Sequence, residues 1–261
     1  MTFNSFTGSI PDLGNLRLLK RLFLEENNLT GETSKGELKF LSYLTNCRHL
    51  EKIEVSLNQL NGVLPTSLGN LSASLQIFSA FGSKIKGTIP VGVGNLTSLT
   101  CMYLDSNELT GVIPNTIGKL KNLERIYLEY NRLEGYIPTD ICQLSKLGDI
   151  YISHNMIRGA IPACFGELKS LQRVFLDSNN LTSTIPLNFW NLNDLVDSDL
   201  MRDVEQFSEV VQQFVSSIFC LGLECLKDCP EDRMSISNIV DCLRKAKIEY
   251  LAIRGKAEKV V

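Results

Sequence analysis

The chain has 261 residues, of which 44% are hydrophobic, and carries a formal net charge of −3 at pH 7. This length allows a sizeable hydrophobic core, and the nearly balanced charge, without a polybasic segment, excludes the electrostatic pattern of a nucleic-acid-binding protein. The longest weakly polar run, residues 214–226, contains Glu224 and is shorter than the roughly 20 residues that a bilayer-spanning helix needs. We therefore predict no membrane span and no nucleic-acid partner.

One pattern recurs along most of the chain, LxxLxLxxNxLxGxIP, and its final proline returns at one constant interval, at Pro90, Pro114, Pro138, Pro162 and Pro186. This pattern is typical of a leucine-rich repeat. A single unit is too short to bury a core, but stacked units place one strand per repeat side by side and bury their leucines between them. The sequence therefore predicts an α/β fold over residues 1–194, a right-handed leucine-rich-repeat solenoid of about seven strands with a parallel sheet on its concave face.

The amino-terminal residues 1–11 have the pattern of the second half of a repeat, and not the charged and then apolar pattern of a secretory signal. No polar cap precedes Phe3 and Phe6, so we expect the first layer of the array to expose apolar surface. Without a signal segment, the sequence assigns no compartment to the chain.

An insertion lengthens one early repeat, because the interval from Asn27 to Asn58 exceeds the constant interval between the repeat prolines. The additional residues lie within 32–46, where an apolar residue recurs every third position, at Leu38, Leu41 and Leu44. This spacing predicts an apolar stripe on a short helix on the convex side.

The asparagine of each repeat is expected to bond the turn backbone of its neighbour, so that successive asparagines form a ladder. Ser83 stands where the pattern requires an asparagine. A buried amide that is left without a partner costs roughly 1 to 3 kcal/mol. We therefore expect residues 78–83 to be locally loose.

The predicted concave face carries one column of outward side chains with four aromatic residues in succession. Its members, one per strand, are Phe23, Glu54, Ser79, Tyr103, Tyr127, Tyr151 and Phe175. Because parallel strands lie about 4.8 Å apart, these rings can stack across the sheet. Two columns of charged residues flank the aromatic residues. The mostly acidic column contains Glu25, Asp105, Glu129 and Asp177, and the partly basic column contains Arg21, Lys52, Arg125 and Arg173.

Two interpretations of these columns remain open. Exposed aromatic and arginine side chains concentrate binding energy at interfaces, so an aromatic strip between charged columns suits an extended peptide or protein ligand. Alternatively, the rings only pack on one another and stiffen the sheet. A second candidate surface lies at the edge formed by Tyr130 and His154. No residue identifies the ligand.

The cysteines and sequons give weaker signals. Eight cysteines are scattered without a paired framework or CxxC spacing, so we expect free thiols, no zinc site and no cofactor. Four sequons occur, at Asn28, Asn70, Asn95 and Asn180, which would be glycosylation sites if the chain entered the secretory pathway.

The pattern fails after Pro186, and the composition changes at about residue 195, where a second domain is predicted over residues 195–261. Apolar residues recur there with helical spacing over 204–227 and again over 236–252. Residues 222–243 (GLECLKDCPEDRMSISNIVDCL) resemble the last segment of a plant receptor-like kinase domain. The resemblance implies that this domain is a short all-α remnant of the kinase carboxy lobe.

The repeat array resembles the ectodomain of the same family, the plant leucine-rich-repeat receptor-like kinases, in the subfamily that includes sensors of bacterial flagellin and elongation factor. Residues 45–50, 69–72 and 182–186 carry this resemblance. It implies an extracellular repeat domain in a plasma-membrane parent, a peptide or protein ligand or a co-receptor ectodomain as partner, and a kinase that phosphorylates Ser and Thr. Near Asp194 the sequence passes directly from the repeats into the segment that resembles the end of the kinase domain. This junction indicates an internal deletion, a splice product or a gene-model fusion.

Catalysis has no candidate residues in this sequence. Phosphoryl transfer by a kinase requires a glycine-rich loop, a strand lysine, a catalytic-loop aspartate and a metal-binding aspartate, and none of these motifs is present. We therefore predict a non-catalytic peptide- or protein-binding module linked to defence or signalling. The alternatives are a receptor-like serine/threonine kinase by family label only, and a non-functional gene fragment.

Overall fold

The computed structural model describes residues 1–31 and 36–186. The second domain predicted for residues 195–261, its two helices and the junction near Asp194 lie outside the described residues. Two kinds of short strand alternate along the array. In chain order the strands are β1 (Thr7–Ser9), β2 (Arg21–Phe23), β3 (Asn28–Thr30), β4 (Lys52–Glu54), β5 (Ile77–Ser79), β6 (Lys86–Gly87), β7 (Cys101–Tyr103), β8 (Glu108–Val112), β9 (Arg125–Tyr127), β10 (Arg132–Gly135), β11 (Asp149–Tyr151), β12 (Met156–Gly159), β13 (Arg173–Phe175) and β14 (Asn180–Leu181).

The predicted parallel sheet is confirmed. Seven strands form it in the order β13-β11-β9-β7-β5-β4-β2, and every neighbouring pair is parallel. We call this the main sheet. Its register equals the repeat period, since Ile150 pairs with Ile126 and Ile126 with Met102, so equivalent residues of successive repeats lie side by side. Because side chains alternate between the faces of a strand, these residues fill the core while their neighbours point outward.

A second parallel sheet lies after each turn, with the order β14-β12-β10-β8-β6. The glycine of the repeat ends or nearly ends these strands with a positive φ, for example 80° at Gly135 and 82° at Gly159. Residues other than glycine rarely adopt this backbone conformation. A Cβ atom at Gly159 would also lie 2.5 Å from Cδ1 of Tyr136 in the preceding repeat. The backbone conformation therefore favours glycine at this position of the pattern, and at Gly159 a larger residue would also displace the Tyr136 side chain.

The remaining segment of each regular repeat is a single 3-10 turn. These turns are Thr66–Asn70, Val91–Asn95, Asn115–Lys119, Thr139–Gln143 and Ala163–Glu167. The repeat proline precedes each one, and its ring holds φ near the value that the start of the turn needs, for example −69° at Pro114. The apolar residue in the middle of each turn, such as Ile117, closes the core opposite the main sheet.

The insertion forms the predicted helix. Helix α1 spans Lys39–Tyr43 and continues as a 3-10 turn over Leu44–Asn46. Leu38, Leu41 and Leu44 are all buried, which confirms the apolar stripe. Residues 32–35 of the insertion lie outside the described residues.

The asparagine ladder is present and is best seen at Asn131. Its amide nitrogen donates to the carbonyl oxygens of Leu104 at 2.9 Å, Leu128 at 3.0 Å and Glu129 at 3.2 Å. Its carbonyl oxygen accepts the N–H of Leu109 at 2.9 Å. One side chain therefore satisfies backbone groups of its own turn and of the preceding repeat.

The expectation of an unpaired amide beside Ser83 holds for one group, because among the described residues no hydrogen bond joins the buried N–H of Leu60 to Ser83, whereas the equivalent N–H groups of Ile85 and Leu109 donate to Asn107 and Asn131. The other polar groups around Ser83 are paired, and the expected looseness of residues 78–83 stays a prediction. The Ser83 hydroxyl is fully buried, donates toward Val55 O and Phe81 O at 3.2 Å each, and accepts the N–H of Asn58 at 3.4 Å. The Ser83 N–H itself donates to Asn107. The shorter side chain of Ser83 therefore bonds carbonyl groups of the ladder and the N–H of Asn58, but not the N–H of Leu60.

The prediction that all cysteines are free thiols is wrong for one pair. A disulfide joins Cys142 and Cys164, whose Cα atoms are 5.8 Å apart. The two residues belong to adjacent 3-10 turns that the stacking places side by side. Cys47 and Cys101 are buried free thiols, as predicted.

Two further predictions concern exposed and apolar segments. Phe3 is 71% exposed and Phe6 is 50% exposed, which confirms the expected apolar surface at the amino-terminal end of the array. Within residues 1–31 and 36–186, no helix is long and apolar enough to cross a membrane.

Candidate ligand-binding face

The aromatic residues predicted from the repeat period lie side by side on the main sheet. The pairing register aligns Tyr103, Tyr127, Tyr151 and Phe175 on the adjacent strands β7, β9, β11 and β13. We call these four residues the aromatic column. Their placement follows from the local sequence. Each aromatic residue comes directly after an inward-pointing residue of its strand, and its own side chain points outward because side chains alternate between the two faces of a strand.

The rings of the aromatic column are in direct contact. The centroids of Tyr127 and Tyr151 are 4.2 Å apart with parallel planes, at an interplanar angle of 1°. Tyr103 meets Tyr127 edge to face at 4.9 Å, and Phe175 meets Tyr151 in the same way at 4.4 Å. Offset-stacked and edge-to-face pairs are the favoured aromatic geometries. The three tyrosines are half-buried, and Phe175 is 45% exposed. The column is therefore both packed internally and accessible.

The column does not continue as aromatic toward the amino terminus. Ser79 is buried, and its hydroxyl lies 2.7 Å from that of Ser56 on the neighbouring repeat. Phe23 follows two strands further on and is separated from Tyr103 by Glu54 and Ser79. The contiguous aromatic surface therefore covers only the last four strands of the main sheet.

The basic column contains an aspartate that the sequence analysis missed. Asp149 stands between Arg125 and Arg173 in the register of the main sheet and is only 2% exposed. Arg173 donates to it through two nitrogens, Nε at 2.7 Å and Nη2 at 2.6 Å, and Nε of Arg125 lies 3.3 Å from it. The Tyr127 hydroxyl donates to the same carboxylate at 3.4 Å. Asp149 thus organises both predicted arginines and one ring of the aromatic column.

Burial and these charges also affect the tyrosine hydroxyls. Burial raises the pKa of Tyr127 to about 12, and the charge of Asp149 contributes in the same direction. The pKa of Tyr103 is raised to about 12 as well, mainly by burial and then by the neighbouring Cys101. Both phenols are therefore neutral hydrogen-bonding groups at physiological pH.

The acidic column is less neutralised than the basic column. Asp105 and Glu129 are half-buried in adjacent repeats, and the described residues contain no ion pair between either of them and a cationic side chain. Burial raises the pKa of Asp105. Burial also raises the pKa of Glu129, and the charges of Asp105 and then Asp177 raise it further. The folded state thus disfavours the charged form of these carboxyls.

Asp177 ends the acidic column and connects it with the second candidate surface. It accepts a hydrogen bond from the Ser153 hydroxyl at 2.6 Å, and Nε2 of His154 lies 3.6 Å from its other oxygen. The His154 ring stacks on Tyr130 with centroids 4.3 Å apart. The predicted Tyr130 and His154 edge is therefore continuous with the acidic column.

Glu129→Gln should raise the thermal unfolding midpoint at pH 7. The pKa of Glu129 is higher in the folded chain than its ordinary 4.5, so the stability that its protonated form contributes is present below that value and is lost as pH rises through the folded pKa. The increase in the unfolding midpoint over the wild type should therefore vanish below about pH 4. Glu134→Gln, an exposed acid on the second sheet, is the matched control for charge loss. If the variant gains no more over the wild type at pH 7 than at acid pH, the destabilising burial and repulsion assigned to the charged form of Glu129 would be contradicted.

The other predicted sites have plain structural outcomes. All four sequon asparagines, Asn28, Asn70, Asn95 and Asn180, are exposed, and their glycosylation stays a prediction. Across the described ranges, no group of three or more His, Cys, Asp or Glu side chains is arranged to hold a metal ion.

Comparison with known families agrees with the repeat geometry. One leucine rich repeat model matches residues 95–157, and a second matches residues 49–71 and 170–192. The array is a leucine-rich-repeat solenoid. The main sheet corresponds to the strand layer that lines the horseshoe in such solenoids, so its outward face is the concave face.

Known relatives include plant receptor-like kinases and receptor-like proteins, matched over part of their length. The chain is 42% identical over 91 residues to the receptor kinase-like protein Xa21 of Oryza sativa subsp. japonica, which covers 35% of this chain and 9% of the relative. It is 40% identical over 79 residues to the LRR receptor-like serine/threonine-protein kinase EFR of Arabidopsis thaliana, which covers 30% of this chain and 8% of the relative. The chain thus spans about a tenth of these relatives' length.

Solved structures of plant receptor ectodomains share the fold. The Arabidopsis receptor kinase HAESA, in complex with the peptide hormone IDA and the co-receptor SERK1, superposes with a TM-score of 0.66 at 30% identity, over 72% of this chain and 30% of that one. The PEPR1–AtPEP1 complex gives 0.67 at 28% identity, over 73% and 26%. A plant ice-binding protein gives 0.51 at 22% identity, which shows the fold alone. Because one solenoid fold serves different ligands, function must be argued from this chain's own surface.

Proposed function

We propose that the solenoid is a binding module for an extended peptide or for a protein partner such as a co-receptor ectodomain. The observation that supports it is the aromatic column, in which four partly exposed rings lie in contact across adjacent strands. Aromatic side chains dominate interface energetics because they bury a large area at a small cost in conformational entropy. The flanking charged residues of the proposed site are Arg125, Arg173, Asp105, Glu129 and Asp177.

Internal packing of the rings is compatible with this role. Contacts between the rings stiffen the sheet and fix each side chain before a ligand arrives, which reduces the entropy that binding costs. Asp149 acts in the same sense, because it holds Arg125, Arg173 and the Tyr127 hydroxyl in one arrangement. The proposed surface is therefore preorganised.

The similar solved structures support a peptide or co-receptor as the ligand class. HAESA is described with the peptide hormone IDA and the co-receptor SERK1, and PEPR1 with AtPEP1. We extend this ligand class to the present chain only as a proposal. The proposed role is binding without catalysis, in signalling or defence, with residues 195–261 as a kinase remnant that takes no part in phosphoryl transfer.

We further propose that the solenoid works in an oxidising compartment, on the extracellular side of the plasma membrane. The Cys142–Cys164 disulfide supports this, because disulfides persist in secreted proteins and are rare in the cytosol. The exposure of all four sequon asparagines is compatible with glycosylation in the secretory pathway.

Replacing Tyr127 and Tyr151 by Ala should weaken peptide binding by about 2 kcal/mol or more, because it removes the parallel pair at the centre of the column. The immobilised full chain is used to select binders from a displayed library of random peptides of about twelve residues, long enough to cross the aromatic strands. Affinities of the recovered peptides are then measured for the wild type and the double variant by surface plasmon resonance.

The control variant is Tyr136→Ala, which removes an exposed tyrosine from outside the main sheet. Circular dichroism verifies that all three proteins are folded. Peptides that bind the wild type and the Tyr136→Ala variant equally, but bind the double variant at least about thirtyfold more weakly, support the proposal. A library that returns no peptides, or peptides that bind all three proteins equally, would overturn it.

A further inference from the structure

The two charged columns of the concave face are not equally available to a ligand. Both arginines that flank the aromatic column are already bound to Asp149, through contacts of 2.6 to 3.3 Å. Their guanidinium groups still reach solvent, but each faces a buried carboxylate that offsets part of its charge. Arg125, Arg173 and Asp149 together therefore carry a net charge of +1, whereas the two arginines alone would carry +2. The hydrogen-bond donors of the two guanidinium groups are also partly occupied.

The acidic column has the opposite character. Asp105 and Glu129 have no cationic partner among the ion pairs of the described residues. The carboxyl of Asp105 accepts a backbone hydrogen bond, and the Ser106 hydroxyl lies 3.4 Å from it. At the far end, Ser153 and His154 contact Asp177. Half-buried carboxylates in adjacent repeats repel one another, and a cation placed between them would relieve that repulsion.

We propose that the concave face docks an extended, positively charged peptide segment, whose basic side chains meet Asp105, Glu129 and Asp177 while its apolar side chains lie on the aromatic column. This inference rests on the proposed function and adds the chemical class of the ligand. It commits to a cationic ligand because Asp105 and Glu129 have no ion-pair partner among the described residues, whereas Asp149 occupies the arginines that would otherwise recognise an anion.

The spacing of the column also predicts the spacing of the basic residues. Asp105, Glu129 and Asp177 are the second residues after β7, β9 and β13, so the column spans three strand separations of the main sheet, about 14 Å at 4.8 Å each. An extended peptide that crosses the strands advances about 13 Å over four residues. Basic residues at positions i and i+4 would therefore reach the two ends of the acidic column from the same side of the peptide.

The probes are three labelled peptides of about ten residues, acetylated and amidated so that their termini carry no charge. The first has Arg at positions i and i+4 around a central Phe in a Gly and Ser background. The second has Glu at the same positions, and the third has its two Arg residues adjacent. Fluorescence anisotropy gives their affinities for the full chain at an ionic strength of about 0.15 M, where nonspecific attraction between distant charges is screened.

We expect the i, i+4 Arg peptide to bind at least about tenfold more tightly than the Glu peptide, and more tightly than the peptide with adjacent Arg residues. The variant Asp105→Asn/Glu129→Gln should weaken it about fivefold. The control Glu134→Gln/Glu167→Gln removes the same charge from exposed positions outside the main sheet and should leave the affinity unchanged.

Equal binding of the Arg and Glu peptides, no measurable binding of the Arg peptide, or an equal loss in the control variant would overturn the inference. The library selection distinguishes this from failure of the binding function itself. Selected peptides that depend on Tyr127 and Tyr151 but contain no excess of basic residues would leave the proposed function intact and reject the cationic ligand.

Discussion

Asn131→Ala should lower the free energy of unfolding by about 3 kcal/mol or more, because it leaves several buried backbone groups without partners. Asn131 is 9% exposed and donates to three carbonyl oxygens, those of Leu104, Leu128 and Glu129, while it accepts the N–H of Leu109. Apolar replacement supplies none of these bonds, and the stacked repeats exclude water from the site. Urea denaturation followed by circular dichroism measures the effect.

The control for the ladder variant is Asn122→Ala. Asn122 also bonds neighbouring repeats, to Thr97 O at 3.1 Å and to Lys146 at 2.8 Å, but these contacts are exposed to solvent. Water replaces exposed bonds at little cost, so its loss should be well under about 1 kcal/mol. Equal effects of the two substitutions would mean that the ladder does not hold adjacent repeats together.

Removing the disulfide with Cys142→Ser/Cys164→Ser should cost about 3 kcal/mol, because the bond closes a loop of 22 residues and restricts the unfolded chain. Reduction of the wild type provides an independent form of the same change. We expect the reduced wild type and the double variant to unfold at the same, lower urea concentration. If oxidised and reduced wild type unfold at the same urea concentration, the predicted contribution of the bond to stability would be contradicted.

The constant repeat period predicted the main sheet and the aromatic column from sequence. Stacked repeats pair with a register equal to their period, so residues at the same position, such as Tyr127 and Tyr151, become neighbours. No long-range information is needed for this step. The short helix in the insertion was predictable for a similar reason, since the spacing of Leu38, Leu41 and Leu44 is local.

What the sequence analysis missed depends on contacts between unlike positions or unlike residues. Cys142 and Cys164 are 22 residues apart, so they occupy different positions of their repeats, and comparison of equivalent positions does not pair them. Asp149 lies in the same column as Arg125 and Arg173, but the sequence analysis described that column as partly basic from the charge of most of its members. Asp149 has an arginine at the same position of the repeat before it and of the repeat after it. This pattern could have identified its contacts with Arg125 and Arg173.

Ser83 shows why a missing motif residue produced only part of the predicted defect. The loss of asparagine is accompanied by two other serines nearby, and the Ser56 hydroxyl accepts the N–H of Phe81 at 3.2 Å while it contacts Ser79. The Ser83 hydroxyl itself replaces the asparagine at the carbonyl oxygens of Val55 and Phe81, but among the described residues no hydrogen bond joins it to the N–H of Leu60. Such compensation depends on three-dimensional neighbours and cannot be read from one repeat alone.

The central claim is that ligands bind on the aromatic column, and site-specific photo-crosslinking tests it most directly. A photoreactive phenylalanine analogue is placed at Phe175, which is 45% exposed at the end of the column, or at Tyr136 outside the main sheet. The full chain is irradiated with a library-selected peptide and analysed by mass spectrometry. We predict a peptide adduct at position 175 and none at position 136. Adducts at position 136 alone, or at neither position despite measurable binding, would contradict the account.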